Sequence, residues 1–306
     1  MTVVYKNNLN KSFTRIVRKV IRNLKMKDAW ISVENTKALY EKNYLINSRP
    51  YEMTLKLKND VKECDDLALQ YFLLSPEKIC YKDKIIIYIH GGAWTKTIFK
   101  YHWWFLDKLV KQNGINIYVP IYHKYPNYCA ADTITSLFDF YKSISIKNEG
   151  KKIVLMGDSA GAHLCLVLAK LIEDEKISNL EQLILFSAPT DLNLCNPKIK
   201  KIEKKDPMLY SLGLKMTIDN WVKPDGIELY NPMSFEYKKP LKITHFIGTN
   251  DILYPDSLIF DEKMMKMKVE IKTYVYRAMY HVFPVTPNFE SKLVRLKIQK
   301  LLKNKR

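Results

Sequence analysis

Glycine is scarce in this chain, with nine residues in 306. Wherever glycines cluster, a tight bend or a close backbone approach is therefore expected. No uninterrupted apolar run approaches the ~18 residues of a membrane-spanning helix. Cysteine is sparse and odd in number: Cys64, Cys80, Cys129, Cys165 and Cys195 lack metal-ligand spacing. That argues against a disulfide framework and a zinc site, and predicts free thiols, mostly in or near the core, in a reducing cytoplasmic setting. Met1–Asn10 has no apolar secretory core, so no signal peptide is read. Acid is in short supply, 32 Asp and Glu against 50 Lys and Arg, for a net charge of +18. No nucleic-acid signature accompanies the excess, which reads as lysines spread over solvated faces; no nucleic-acid partner is expected.

Two stretches contain base and no acid. Residues 11–27 carry Lys11, Arg15, Arg18, Lys19, Arg22, Lys25 and Lys27, and the tail from Lys292 to Arg306 also holds seven basic residues. In the first stretch Phe13, Ile16, Val17, Val20, Ile21 and Leu24 recur at three- and four-residue steps, predicting an amphipathic helix. Such a helix can cover the mouth of a pocket, the reading preferred here, or lie on a membrane surface.

After a looser stretch to about residue 50, strand and helix patterns alternate. Strands are predicted at Leu67–Leu74, Lys84–Ile89, Ile115–Val119, Lys152–Met156, Gln182–Phe186, Ile243–Ile247 and Glu270–Tyr276. Helices are predicted at Tyr101–Lys111, Ala130–Ile144, Ala160–Glu173, near Asp256–Lys268, and after Asn288. Residues 191–240 break the rhythm with five prolines among lysine-rich turns. The alternation predicts an α/β domain with a mostly parallel sheet covered on both faces, and 191–240 as an excursion above it.

Five of the nine glycines fall in three segments: His90-Gly91-Gly92-Ala93-Trp94, Gly157-Asp158-Ser159-Ala160-Gly161, and Gly248-Thr249-Asn250-Asp251. The middle one follows an apolar strand pattern and opens a helical one. That context suits a G-x-S-x-G turn, in which small neighbours let a strained bend lift the Ser159 hydroxyl above the sheet. A serine hydroxyl needs a base to take its proton. Among six histidines, His90 is locked in the glycine loop, and His102 and His123 precede the serine. His163 lies one turn along the same helix and should point away, and His245 sits inside an apolar strand. His281 follows the last strand in a loop and is the candidate base. Asp251, in the loop after Ile243–Ile247, is the candidate orienting acid, with Asp256 as fallback. Asp158 should point elsewhere and brace the bend.

The glycine pair after strand Lys84–Ile89 predicts an oxyanion hole from the backbone N–H groups of Gly91 and Gly92, with Ala160 as third donor. Phe99, Trp94, Trp103 and Trp104 either line an aromatic pocket or belong to the core. No metal or cofactor is called for.

Together these motifs resemble the hormone-sensitive-lipase-like carboxylesterase branch of the α/β-hydrolase superfamily. The resemblance runs from about residue 84 to 290. It is carried by residues 90–94, 157–161, 248–253 and His281-Val282-Phe283-Pro284, and by Tyr122-His123-Lys124-Tyr125-Pro126. It implies a triad of Ser159, Asp251 and His281, an oxyanion hole from Gly91, Gly92 and Ala160, and a helical N-terminal cap. The domain implied is a single one over 1–306, with 1–50 as cap and 191–240 as a cap-like insertion. The activity implied is hydrolysis of small-molecule, short-chain acyl esters. Ala162 departs from the family's usual glycine, and Ser159-Ala160-Gly161-Ala162-His163 is also similar to arylformamidases, which keeps small-amide hydrolysis open. A lipid-ester lipase at a membrane surface and a non-catalytic binder on the same fold are the remaining alternatives. Oligomeric state is not encoded in these patterns.

Overall fold

The computed structural model describes residues 2–238, 240–267 and 269–303. Its centre is a nine-stranded sheet. In chain order the strands are β1 (Thr2–Lys6), β2 (Asp60–Cys64), β3 (Tyr71–Ser75), β4 (Lys84–Ile89), β5 (Ile117–Pro120), β6 (Lys152–Asp158), β7 (Leu180–Phe186), β8 (Lys242–Asn250) and β9 (Glu270–Tyr280). The spatial order is β1-β9-β8-β7-β6-β4-β5-β3-β2. Only the β2–β3 and β3–β5 pairings are antiparallel. The sheet is thus mostly parallel, as the alternation predicts.

Burial on both faces explains the sequence of the central strands. Every residue of β4 is buried, and β6 is buried from Ile153 to its end. Helices α3 (Lys100–Asn113), α4 (Ala130–Lys147), α5 (Ala160–Asp174), α8 (Tyr254–Lys266) and α9 (Phe289–Lys303) fill the intervals between and after these strands. Helix α5 lies on β6, β7 and β4, so the turn between β6 and α5 stands at the centre of the sheet.

Several expectations need correction. Residues 1–50 are not wholly helical: β1 joins the sheet edge, parallel to β9, with Thr2 opposite Lys272. The amphipathic segment forms α1 (Lys11–Asn23), shorter than 11–27, with the Asn10 side chain capping the Phe13 N–H. The stretch before residue 50 holds a second helix, α2 (Val33–Asn47). The strand expected at Leu67–Leu74 begins at Tyr71, and β2 pairs beside it. Residues 191–240 contain α6 (Lys198–Glu203) and α7 (Ser211–Val222). Of the five free cysteines only Cys165 is buried; Cys80 and Cys195 are exposed, in loops outside the apolar pattern. The expected helix end at Lys268, Met1 of the leader reading, and Asn304, Lys305 and Arg306 of the basic tail lie outside the described residues.

The two segments flanking the sheet pack on each other. Gly213 of α7 lies where a side-chain carbon would come within 2.7 Å of the Trp30 Cα, and the Tyr40 hydroxyl is 2.9 Å from Thr217 Oγ1. Lys27 donates to the carbonyls of Glu203 and Asp206. Arg18 of α1 donates to the Lys205 carbonyl at 3.0 Å, so helix α1 is also tied to the 191–240 segment.

Candidate active site

Strand β6 ends in a forced bend. Ser159 has φ 50° and ψ −125°, a conformation that costs an L-residue roughly 1–3 kcal/mol and persists only where neighbours fix it. Its N–H donates to the Phe186 carbonyl at 2.8 Å. The flanking glycines are sterically required. A side-chain carbon at Gly157 would come within 2.7 Å of the Gly161 backbone, and one at Gly161 would collide with the Ile89 carbonyl oxygen.

The bend brings Ser159 to His281. Ser159 Oγ lies 2.8 Å from His281 Nε2, and His281 Nδ1 lies 3.0 Å from Asp251 Oδ2. Thus three side chains separated by up to 122 positions meet in one chain of contacts. All three are buried, with Asp251 fully so. Burial by itself would lower the His281 pKa, but Asp251, with Asp206 and Asp158 behind it, outweighs burial and raises it above its ordinary value. Burial conversely favours protonation of Asp251, yet His281, the Leu253 N–H and the Ser187 hydroxyl hold it below the usual carboxylate range. An imidazole so placed can take the Ser159 proton, and the carboxylate can stabilise the resulting imidazolium.

The other histidines are placed differently. Burial pushes His90 down to about 3, with Lys124 adding to the effect, and pushes His163 and His245 to about 4. His90 stacks on Tyr122 with ring centroids 4.5 Å apart. His163 Nδ1 accepts from the Trp94 indole at 3.2 Å and its Nε2 donates to the Tyr230 carbonyl at 2.7 Å, facing away from Ser159. His245 Nε2 accepts the Ala188 N–H within the core. Asp256, the fallback acid, is buried on α8 and is not the group that His281 Nδ1 meets.

Asp158 ties the glycine loop to the bend. Its Oδ1 accepts from the Gly91 N–H at 2.9 Å and the Tyr88 hydroxyl at 2.6 Å. His102 Nδ1 accepts the Phe99 N–H, so Nε2 carries the proton donated to Asp158 Oδ2 at 3.1 Å. Burial would raise Asp158, but these partners keep it below the ordinary carboxylate value. The expectation that Gly91 offers a free amide therefore fails, because that N–H is already committed. Among the described residues, the N–H groups of Gly92 and Ala93 have no protein acceptor. Gly92 (φ 132°), Ala93 (φ 51°) and Trp94 (φ 56°) curl the loop backward, a bend the sequence reveals only at the glycine. The Ala160 N–H, first in α5, lacks an intrahelical acceptor.

Above these groups is a cavity of about 560 Å³ that includes Gly92, Ala93, Ser159 and His281 in its wall. Val17 and Ile21 of α1, Leu24 just past its end, Trp30, and Met208 and Leu209 of the 191–240 segment supply apolar lining. Of the aromatic candidates, Phe99 lines the cavity; Trp94 and Trp103 are fully buried in the core, and Trp104 is absent from the lining. Lys96 also lines it, with Nζ 4.7 Å from the Trp30 ring centre; burial pushes its pKa down to about 8. Among the described residues, no group of three or more His, Cys, Asp or Glu is arranged to hold a metal.

Comparison with known proteins agrees with this architecture. The chain is 25% identical over 204 residues to an esterase of Acinetobacter venetianus, covering 65% of this chain and 67% of that one. A Staphylococcus aureus structure proposed to be an esterase superposes with a TM-score of 0.85 at 23% identity, covering 92% of this chain and 96% of the other. An esterase of the bacterial hormone-sensitive lipase family superposes with a TM-score of 0.79 at 15% identity, covering 97% and 99%. The profile of the alpha/beta hydrolase fold matches residues 86–285, from β4 through the loop bearing His281, and the chain belongs to that family.

Proposed function

We propose that this protein is a serine carboxylesterase acting on short-chain acyl esters through an acyl-enzyme. The observation that carries the reading is the Ser159–His281–Asp251 contact chain, with distances of 2.8 and 3.0 Å. The Acinetobacter relative, itself described as an esterase, supports it. The cavity lies within the ~300–1,000 Å³ typical of small-molecule sites.

Ser159 Oγ attacks the ester carbonyl carbon while His281 Nε2 takes its proton. The carbonyl oxygen becomes an oxyanion, met by the backbone N–H groups of Gly92, Ala93 and Ala160. The carbon–oxygen bond to the alcohol breaks, and the imidazolium returns its proton to the departing alkoxide. Water then attacks the acyl-serine carbonyl, giving its proton to His281; expulsion of Ser159 Oγ, reprotonated by His281, releases the acid. Asp251 keeps Nδ1 protonated and Nε2 free to act as base. The N-terminal helices and the 191–240 segment act together as a cap over the cavity.

The experiment is an acyl-chain series of p-nitrophenyl esters with wild type and Ser159→Ala. The variant should lose roughly a million-fold in kcat. Wild type should prefer acetate and butyrate over long chains. Unchanged turnover in the variant overturns the mechanism, and a preference for long chains overturns the short-chain assignment.

A further inference from the structure

Helix α1 covers the cavity incompletely. Thr14 and Ile21 are buried, and Val17, Val20, Ile21 and Leu24 reach the cavity wall. Yet Ile16, Val20 and Leu24, four residues apart, remain 60%, 51% and 57% exposed. The apolar arc of α1 is wider than the protein beneath it can bury.

The exposed apolar surface continues around the same mouth. Phe99 lines the cavity and is 39% exposed. Beyond it Trp104, 41% exposed, contacts Tyr101 edge-on, and Lys100 Nζ sits 5.5 and 5.6 Å from their ring centres. Phe289, half exposed and two residues past Pro287 of the cavity wall, meets Phe13 of α1 with centroids 5.1 Å apart. Singly exposed apolar residues need no explanation, whereas several exposed on segments that line one cavity mark a contact surface.

Charge selects the partner. Two basic groups of this segment are used internally: Arg18 donates to the Lys205 carbonyl, and Lys27 to the carbonyls of Glu203 and Asp206. Lys11, Arg15, Lys19, Arg22 and Lys25 are exposed, with no acid between them. An apolar stripe beside a cationic face is the arrangement that lies in a headgroup plane, chains inserted and cations against anionic lipid. Among the described residues no helix is long and apolar enough to cross a membrane, so the association would be peripheral.

We infer that the rim formed by α1, Phe99–Trp104 and Phe289 is a docking face for an anionic lipid surface, with the cavity mouth turned toward the bilayer. That the cavity then takes esters from the lipid phase rests on the esterase reading; the docking itself does not.

The test is sedimentation of the full chain with phosphatidylcholine vesicles, with and without phosphatidylglycerol, at low and high salt. Binding should be about tenfold or more tighter on the anionic vesicles and fall with salt. Ile16→Glu and Lys19→Glu, both outside the cavity wall, should each weaken binding about fivefold or more. Both should leave hydrolysis of soluble p-nitrophenyl butyrate within about twofold of wild type, since neither residue lines the cavity. Equal binding to both vesicles, or none, overturns the inference. So does salt-independent self-association abolished by Ile16→Glu, which assigns the rim to a second copy. Because vesicle binding is read without turnover, Ser159→Ala should bind as wild type does, and failure of the esterase reading would leave this result untouched.

Discussion

The Gly91 N–H donates to Asp158 Oδ1 at 2.9 Å, joining the loop after β4 to the residue before Ser159. The bond ties the glycine loop to the bend that carries Ser159. A side-chain carbon at Gly91 would collide with Asp158 Oδ2, so the contact depends on glycine.

Asp158→Ala should accordingly damage catalysis without touching the triad. The His102, Tyr88 and Gly91 donors lose their common acceptor inside the core, and a buried donor left unpaired typically costs about 1–3 kcal/mol. We expect a lower Tm and a fall in kcat of roughly 10–100-fold, less than the loss of an oxyanion donor outright. Thermal melts and steady-state kinetics on p-nitrophenyl butyrate check both. Unchanged kcat would show that the loop holds its shape without Asp158.

Asp251→Asn should preserve the fold and lower kcat about 10,000-fold, because an amide that donates to Nδ1 favours the wrong imidazole tautomer. Combined with Ser159→Ala, it should add little, since residues that act as a unit are not additive. Kinetics of the single and double variants decide this.

The pH profile follows from the raised His281 pKa. Only neutral His281 can accept the Ser159 proton, so kcat/KM should rise with pH through that pKa and fall below it. Asp206, whose Oδ2 accepts the Ile252 N–H at 3.0 Å, contributes part of the upward shift on His281. Burial and nearby Asp251 place Asp206 itself at about 6. Asp206→Asn removes that negative charge and should move the acid limb to lower pH. A limb that stays in place would mean that Asp206 serves only to hold the loop.

Stability should respond to Asp261. Burial raises this carboxyl on α8 to about 7, against the Thr273 hydroxyl beside it. A folded-state pKa above the unfolded value means that the native state binds the proton more tightly. The stability from this group is therefore fullest below pH 4 and is lost as pH rises toward and past 7. Asp261→Asn should raise stability at pH 8, on the order of 2 kcal/mol, with a smaller effect at pH 5. Melts at the two pH values test the sign.

The sheet and the Ser159, Asp251 and His281 positions were legible because they rest on strong local signals: continuous apolar strands, glycines at a forced bend, and chain order. The elements that escaped notice are held by polar contacts, which leave no period in a sequence. Helix α2 buries Thr36, Tyr40 and Asn43 rather than an apolar stripe. Thr36 donates to the Ala29 carbonyl, and Asn43 to Thr95 Oγ1. The 191–240 segment is likewise organised by buried acids, with Glu203 accepting the Ser211 N–H and Asp206 those of Met208 and Leu209. Gly91 misled for a related reason. Its smallness was visible, but whether its N–H faced a substrate oxygen or a carboxylate depended on where Asp158 pointed.

The pairing of β1 with β9 sets a constraint on assembly. Just past this edge, Asn8 reaches Met279 across 271 positions of chain, and β9 leads directly to His281. Closing so long a loop is entropically slow to be rewarded, so the strand that leads to His281 gains its outer neighbour only when distant parts of the polypeptide coexist. During synthesis, a nascent chain stalled before residue 270 would leave β1 without its pairing partner, and proteolysis at the amino-terminal segment offers a readout of whether that edge of the sheet has yet closed.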